Sequence, residues 1–168
     1  MKIGEIKGAE RGDGSKPLDG IRILAIEQMQ ALPFATQLLA HLGAEVVKVE
    51  HPVTGDSGRG SLPAVHATDG REAGAPYLRH ALSERSIAVD LKHPEGVALI
   101  KRLAAKYDVV GENFKPGTMK RLGLGYEDLA AVNPRLVYVS VSGFGNLRPS
   151  PYAHWPAYAS IAEAMAGF

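Results

Sequence analysis

The chain of 168 residues is long enough for one domain with a sizeable core, and 45% of its residues are hydrophobic. Its 19 Lys and Arg nearly balance its 18 Asp and Glu. This balance excludes a bulk positive field for nucleic acid or an anionic membrane. The absence of cysteine excludes thiolate catalysis and cysteine-ligated zinc, and the six histidines show no metal-ligand spacing such as HExxH, so no metal site is predicted.

The chain ends and its hydropathy predict a location. No apolar run approaches the roughly 20 residues that span a bilayer, and the first 17 residues lack the apolar core of a signal peptide. We therefore expect a cytoplasmic protein with no membrane partner. Residues 1–16, rich in Gly and charge, are predicted to be a flexible leader, and residues 17–168 to form the folded part.

The first elements along the chain form a βαβ pattern. Ile21–Ile26 and Val46–Glu50 are short runs rich in β-branched residues, which predicts two strands. Between them, Pro33–Leu42 has helical apolar spacing, with Pro33 in the first turn and Gly43 as the stop. Such a unit indicates an α/β fold with a parallel sheet.

Residues 51–80 show no sustained period, which predicts a long loop over a binding site or an interface. The alternation of strands and helices then resumes. The predicted strands are Ile87–Leu91, Asp108–Val110 and Leu136–Val141, and the predicted helices are Pro94–Tyr107, Tyr126–Val132 and Tyr158–Met165. The sequence stops inside the last helix, and we expect either a fragment or a domain whose core is completed by another chain.

Two familiar site motifs are missing. Glu50 closes the second strand as a ribose-binding acid would, but residues 27–33 contain nothing like GxGxxG, which argues against NAD or FAD. Ser142 is not in a nucleophile elbow, because Ser140 stands where that motif has glycine. A dinucleotide enzyme and a serine hydrolase are both disfavoured.

Asn113-Phe114-Lys115-Pro116-Gly117 follows the third strand at its carboxyl end, where open parallel sheets bind ligands. A Pro-Gly turn explains Pro116 and Gly117 but leaves Asn113 and Phe114 unexplained. An aromatic face with Lys120 and Arg121 nearby suits an adenine and its phosphates. The residues alone leave both interpretations open.

Several longer segments carry a resemblance to a known family. They are Pro17-Leu18-Asp19-Gly20, LLAHLGAEVVKVEHP (38–52), RSIAVDLKHPEG (85–96) and DVVGENFKPGTMKRLGLGYEDLAAVNPRLVYVSVSGFG (108–145). Their order and wording resemble the family III CoA transferases, also called the CaiB/BaiF family, which includes formyl-CoA transferase and, as a relative, α-methylacyl-CoA racemase.

The resemblance implies a Rossmann-like parallel sheet with helices on both faces, here the amino-terminal part of a CoA-binding large domain. In that family two longer subunits interlock, so we expect a homodimer or a companion chain. An aspartate forms a mixed anhydride with the acyl group before thioester exchange. That aspartate is expected beyond Phe168, so this chain alone would lack the nucleophile.

By the same resemblance, six residues correspond to CoA-binding positions. Asn113, Phe114 and Arg121 match CoA contacts, and Val89 and Leu91 match apolar residues beside the adenine. His51 stands where some members have an Arg against the phosphates. Coenzyme A or an acyl-CoA would be a substrate, and no prosthetic group is implied.

Two further positions correspond to the catalytic site. Gln30 matches a glutamine that orients a carboxylate or acyl oxygen. Tyr158 stands where the racemase branch has a histidine base and where transferases can have tyrosine, which favours transfer over racemisation. Ala159 replaces an acid common to both branches, and His154 is more simply a loop residue than a displaced base.

The predicted function is transfer of CoA between carboxylic acids. Two alternatives stay open: an acyl-CoA racemase of the same family, and a non-catalytic CoA-binding or assembly subunit. The sequence does not distinguish among the acids.

Overall fold

The computed structural model describes residues 16–146, 148, 150–153 and 155–167. In chain order the elements are β1 (Arg22–Ile26), α1 (Ala31–His41), β2 (Glu45–Glu50), a 3-10 turn (Ser57–Gly60), β3 (Ala64–His66), β4 (Glu72–Gly74), α2 (Ala75–His80), β5 (Arg85–Ala88), α3 (Pro94–Ala104), β6 (Val109–Glu112), α4 (Thr118–Arg121), α5 (Tyr126–Ala130), β7 (Val137–Ser140) and α6 (Ala159–Ala166). Apart from Lys16, the predicted leader of residues 1–16 lies outside the described part of the chain, as do His154 and Phe168.

Five strands form one sheet in the order β5-β2-β1-β6-β7, and every neighbouring pair is parallel. The chain moves outward from β1 through β2 to β5, then returns to β6 on the other side of β1 and continues to β7. The strand order therefore reverses between β1 and β6, which is the topological switch point where ligands bind in open parallel sheets.

Helices cover both faces of this sheet, as predicted. On one face, α3 and α5 bury Ile100 and Leu129 against Leu24, Val47 and Val110. On the other face, Ala40 of α1 packs against Ile23, Ala25 and Val46. The side chains alternate along each strand because successive Cβ atoms point to opposite faces.

Local sequence explains several element ends. Pro94 begins α3 at a position whose missing N–H costs nothing, and the His93 ring accepts a hydrogen bond from the Glu95 N–H at 3.3 Å. Gly43 follows α1 with φ of +109°, and a β carbon there would lie 2.5 Å from the Lys16 Cβ. Only glycine combines that backbone with that clearance.

The structure corrects the predicted loop over residues 51–80. This stretch holds the 3-10 turn, an antiparallel β3–β4 hairpin and α2. The elements are three to six residues long, too short to show a period. Helix α4 was not predicted, for the same reason.

The predicted boundaries shift by a few residues elsewhere. Strand β5 begins at Arg85 rather than Ile87, although the Val89 N–H still bonds to the Glu50 carbonyl at 2.9 Å. Helix α3 stops at Ala104, and α6 starts one residue after Tyr158. Its side chains are not buried in the described chain, and Met165 is 52% exposed.

Candidate coenzyme site and its buried charges

The loops that leave β1 and β6 at the switch point are bonded to each other. The Asn113 side chain accepts from the Gln28 N–H at 2.8 Å and donates to the Gln28 carbonyl at 2.8 Å. An amide that both donates to and accepts from one backbone residue fixes that residue in place. Asn113, predicted as a CoA contact, therefore also joins the two loops.

A cavity of about 230 Å³ opens beside this junction. Its lining includes four of the predicted CoA-binding residues: His51, Val89, Leu91 and Phe114. Gln28, Lys92, Thr118 and Leu122 also line it. Sequence reasoning thus selected residues from three separate segments that the fold brings to one cavity.

Phe114 is held by its own strand. The Phe114 N–H donates to Glu112 Oε2 at 2.9 Å, and the Ser140 hydroxyl bonds to the other oxygen of the same carboxylate. Glu112 is only 6% exposed. A carboxylate shared between β6 and β7 therefore positions the backbone of the aromatic residue at the cavity wall.

Arg121 does not line the cavity. It lies at the end of α4, is exposed, and donates to the Thr118 hydroxyl at 3.0 Å. Because Thr118 does line the cavity, the guanidinium lies one side chain away from it.

Gln30 lies in a second cavity of about 540 Å³, together with Ala31, Phe34, Gln37, Arg79 and His80. Arg79 Nε donates to His80 Nε2 at 3.1 Å. Burial and the Arg79 and Lys48 charges lower the pKa of His80, so the neutral ring carries its proton on Nδ1. The ionisable side chains that line this second cavity are thus a cation and a neutral ring.

Tyr158 lies apart from the residues that line the two cavities. It precedes α6, is 70% exposed, and belongs to the lining of neither cavity. The structure brings four of the six predicted CoA-binding residues to one cavity, with Asn113 and Arg121 outside its lining, and it does not bring the two predicted catalytic residues to a common cavity.

A cluster of buried charges, two of which (Glu27 and Asp56) line the first cavity, was not identified by the sequence analysis. Lys48 Nζ lies 2.7 Å from Asp56 Oδ2 and 3.6 Å from Glu27 Oε1. All three side chains are at most 2% exposed. The Thr36 hydroxyl donates to Glu27 at 2.9 Å. Charges so deeply buried are costly unless they are paired.

A second pair lies next to this cluster. Arg59 binds Glu50 through two hydrogen bonds, Nε to Oε2 at 2.6 Å and Nη2 to Oε1 at 2.8 Å. Ser86 and Tyr77 also contact Oε1 through their hydroxyls, at 2.6 Å and 3.3 Å. Gly55 leaves room for this arrangement, because a β carbon there would lie 2.7 Å from Arg59 Cδ.

The pKa values of Glu27 and Glu50 are shifted in opposite directions. Burial raises the pKa of Glu27 to about 7, against the attraction of Lys48. Burial also raises the pKa of Glu50, but the hydrogen bonds from Arg59, Ser86 and the Asp56 backbone outweigh it and bring the pKa to about 2. Glu27 is poised to exchange a proton near neutral pH, whereas Glu50 stays ionised.

The signal for this cluster was present in the strand EVVKVE. Alternation puts Lys48 and Glu50 on the same face as Val46, which is a core position. Two charges on a core face imply buried partners. The partners themselves, Glu27 and Asp56, could not be named because neither belongs to that strand.

Comparison with known proteins identifies the family. The model of CoA-transferase family III matches residues 18–168. The chain belongs to CoA-transferase family III. It is 45% identical over 155 residues to the succinate–glutarate CoA-transferase of Agrobacterium fabrum, covering 90% of this chain and 38% of that protein. It is 47% identical over 152 residues to the succinyl-CoA–D-citramalate CoA-transferase of Chloroflexus aurantiacus, covering 90% of this chain and 36% of the relative.

A solved structure agrees with this family assignment. The chain superposes on a CaiB/BaiF family protein from Brucella suis with a TM-score of 0.83 and 39% identity, covering 91% of this chain and 40% of that one. The chain therefore spans well under half the length of these relatives. The predicted family and fold are confirmed by these matches.

The described residues offer neither a metal site nor a membrane-spanning helix. No group of three or more His, Asp or Glu side chains there could hold a metal ion. In the same part of the chain, no helix combines the length and apolar character that crossing a membrane requires.

Proposed function

We propose that the chain forms the CoA-binding part of an enzyme that transfers CoA between carboxylic acids. The observation that carries this proposal is the cavity at the switch point, whose wall contains the aromatic ring of Phe114 and the aliphatic side chains of Val89 and Leu91. An aromatic ring and two aliphatic side chains suit the two faces of an adenine. Lys92 and the neighbouring Arg121 supply cations for the phosphates, and the His51 ring is a further polar group at the cavity.

Three of the four acids that line this cavity do not oppose an anionic ligand, and the fourth, Asp90, is exposed and accepts a hydrogen bond from the Lys92 N–H at 2.8 Å. Glu50 is paired with Arg59, and Asp56 is paired with Lys48. Burial keeps Glu27 protonated for much of the time near neutral pH, because its pKa is about 7. The cations at the rim, in contrast, are exposed and available to phosphate.

The carboxylic acid would bind in the second cavity. The two glutamine amides and the Arg79 guanidinium can donate hydrogen bonds to a carboxylate, and Phe34 and Ala31 offer apolar surface to its carbon chain. Gln30 would orient the reacting carboxylate or acyl oxygen. The two curated relatives above carry the names succinate–glutarate and succinyl-CoA–D-citramalate CoA-transferase, which supports a short acid for this chain.

The chemistry would follow the family's mixed-anhydride route. An aspartate oxygen attacks the thioester carbonyl, the carbon–sulfur bond breaks, and CoA leaves as a thiolate. The thiolate then attacks the aspartyl carbonyl and releases the first acid, and the second acid takes CoA from the aspartyl thioester by the same two steps in reverse. We propose that this aspartate lies beyond Phe168, and that a second copy or a companion chain joins this one in the cytoplasm.

Titration of CoA into the chain tests the binding proposal. Phe114→Ala should weaken affinity about tenfold, the effect of losing about 1.4 kcal/mol of stacking. Phe114→Leu keeps most of the apolar packing but removes the aromatic ring, so it should still lose much of the affinity for CoA. Phe144→Ala is the matched control, because Phe144 contacts Tyr152 and lines neither cavity. Equal affinity in all four proteins would overturn the site.

A trapping assay tests the reaction. The chain, and a longer chain that continues past Phe168, are each incubated with succinyl-CoA and labelled glutarate, then treated with hydroxylamine and mapped by mass spectrometry. The expected adduct lies on an aspartate after Phe168. An adduct on an acid within this chain, with turnover, would contradict the proposed location. Racemisation without transfer would favour the racemase, and CoA binding without either activity in the longer chain would favour the non-catalytic subunit.

A further inference from the structure

Met29 separates two glutamines that line different cavities. Gln28 lines the cavity beside Phe114, and Gln30 lines the cavity beside Arg79. In extended chain, residues two apart point to the same side. Here the residue between them has φ of +66°, in the left-handed region. That backbone turns the second glutamine away from the first.

The left-handed backbone at Met29 is unfavourable for a residue with a β carbon. Its side chain does not offset that cost by deep burial, since it is 42% exposed. Such conformations persist where the surrounding structure over-determines them.

Asp56 is the group that holds the Met29 backbone. Its Oδ1 accepts from the Met29 N–H at 3.0 Å and from the Gly58 N–H at 2.6 Å. Its Oδ2 lies 2.7 Å from Lys48 Nζ. The carboxylate is 1% exposed, so its position is fixed by a buried cation on one side and two backbone donors on the other.

The residues on either side of Met29 are also fixed. Gln28 is bonded through its backbone to Asn113, and its side-chain oxygen accepts from the Ser57 hydroxyl at 3.0 Å. The Gln30 carbonyl accepts from the Phe34 N–H at 2.9 Å, as the first turn of α1. Met29 therefore connects a segment fixed to β6 with a segment fixed to α1.

We propose that Asp56 is a positioning residue, which uses its ion pair with Lys48 to hold Met29 left-handed so that Gln28 and Gln30 face the two cavities at once. The inference rests on the proposed function where it concerns CoA. Its structural part, the link between Asp56 and the Met29 backbone, stands apart from any ligand. Loss of Asp56 should therefore change both the backbone at Met29 and the affinity of the neighbouring cavity for CoA.

A double-mutant cycle tests this link. Asp56→Ala should weaken CoA binding, measured by calorimetry, about fivefold, the lower end of what a non-glycine left-handed residue costs. Met29→Gly removes that cost, because glycine adopts positive φ freely. In the Met29→Gly background, Asp56→Ala should therefore weaken binding less than about twofold. An undiminished fivefold loss in that background would overturn the proposal.

Backbone Cα and Cβ chemical shifts of Met29 give an independent measurement. They should report positive φ in the wild type and in Asp56→Asn, which keeps an oxygen for the Met29 N–H, and should change in Asp56→Ala. Asp69→Ala is the matched control, because Asp69 is exposed and paired only with Arg71 among the described residues. Unchanged Met29 shifts in a folded Asp56→Ala protein would refute the inference.

The two measurements separate this inference from the proposed function. If the wild type fails to bind CoA, the coenzyme site fails, and the Met29 shifts still decide the role of Asp56. If Asp56→Ala does not fold, Met29→Gly should restore folding more than Met29→Ala does. Equal behaviour of those two double variants would also overturn the proposal.

Discussion

The two faces of the sheet bury different kinds of side chain. The face against α3 and α5 is apolar along the whole strand: Leu24 and Ile26 on β1, Val47 and Val49 on β2. The face against α1 begins the same way, with Ile23, Ala25 and Val46, and then changes to charge. Glu27 follows Ala25, and Lys48 and Glu50 follow Val46, all buried.

The change takes place toward the carboxyl ends of the strands, on the side where both cavities lie. A uniform apolar face needs no partners, because the hydrophobic effect is non-directional. Buried charges need specific partners at specific distances, so they fix the loops that supply those partners. The apolar face therefore contributes mainly to stability. The charged face is less favourable to bury, but its ion pairs hold the loops of the site in a defined conformation.

The most severe way to break the charged face is to remove its cation. Lys48→Met keeps the length of the side chain and leaves Asp56 buried without a counter-charge, which should lower the free energy of unfolding by about 3–5 kcal/mol. Urea denaturation at pH 7.5 measures this change in the free energy of unfolding. The control on the apolar face is Ile100→Val, where loss of one methylene should cost about 0.5–1.5 kcal/mol. A Lys48→Met cost no larger than that of the control would show that the cluster is not held by its ion pair.

A gentler change tests the proton on Glu27. Its pKa of about 7 lies above the ordinary value of 4.5. Between these values the folded protein binds a proton that the unfolded chain has released, so the free energy of unfolding falls as the pH rises from about 4.5 to 7. The total fall is up to about 3 kcal/mol, at about 1.4 kcal/mol per pKa unit.

Glu27→Gln should flatten this decline, measured by urea denaturation across the same range. Burial also raises the pKa of Glu84, so a smaller slope of the same sign should remain. Ile100→Val serves again as the control, and its profile should run parallel to that of the wild type. A Glu27→Gln profile as steep as the wild-type one would refute the titration of Glu27.

The smallest expected effect concerns Arg59. Glu50 has its pKa lowered to about 2, so its contribution to stability is present above about pH 4.5 and is lost as the pH falls toward 2. Arg59→Lys keeps the charge but loses the two-point contact. Because the Arg59 side chain is 42% exposed, we expect a cost of about 1 kcal/mol or less at neutral pH and a smaller loss below pH 4.5.

Arg71→Lys is the matched control, since Arg71 makes an exposed pair with Asp69. Acid denaturation monitored by circular dichroism compares the two variants. If both variants match the wild type throughout, the two-point contact contributes nothing to the pH dependence.

The sequence predicted the apolar face well. The run Ile21–Ile26 is recognisable because a parallel strand buried on both faces is a continuous apolar run. The run Leu136–Val141 is recognisable by its β-branched residues, although β7 is an edge strand with Val137 57% exposed. The βαβ order then implied the parallel sheet. The hairpin and α2 were missed because elements of three to six residues carry too little periodicity to separate them from loop.

The charged face was not predicted, and the reason is physical. Lys48 and Glu50 look like ordinary polar residues of a half-exposed strand until something covers that face. Their partners are Asp56, which caps the 3-10 turn, and Arg59, which lies within it, and this turn is too short for the sequence alone to specify its conformation. Val89 and Leu91 were named through the family resemblance, and Phe114 was named both through it and from its place after the third strand. The left-handed backbone of Met29 has no sequence signal, because methionine rarely adopts that conformation.

The crowding at Gly55 constrains how this chain can diverge. Any larger residue there would collide with the Arg59 side chain, which would displace Arg59 from Glu50. We therefore expect the segment GDSGR (55–59) and the strand residues Lys48 and Glu50 to be retained or replaced together during evolution. Descendants that keep the two strand charges should keep Gly55, Asp56 and Arg59, and lineages that lose one should replace the others within few further substitutions.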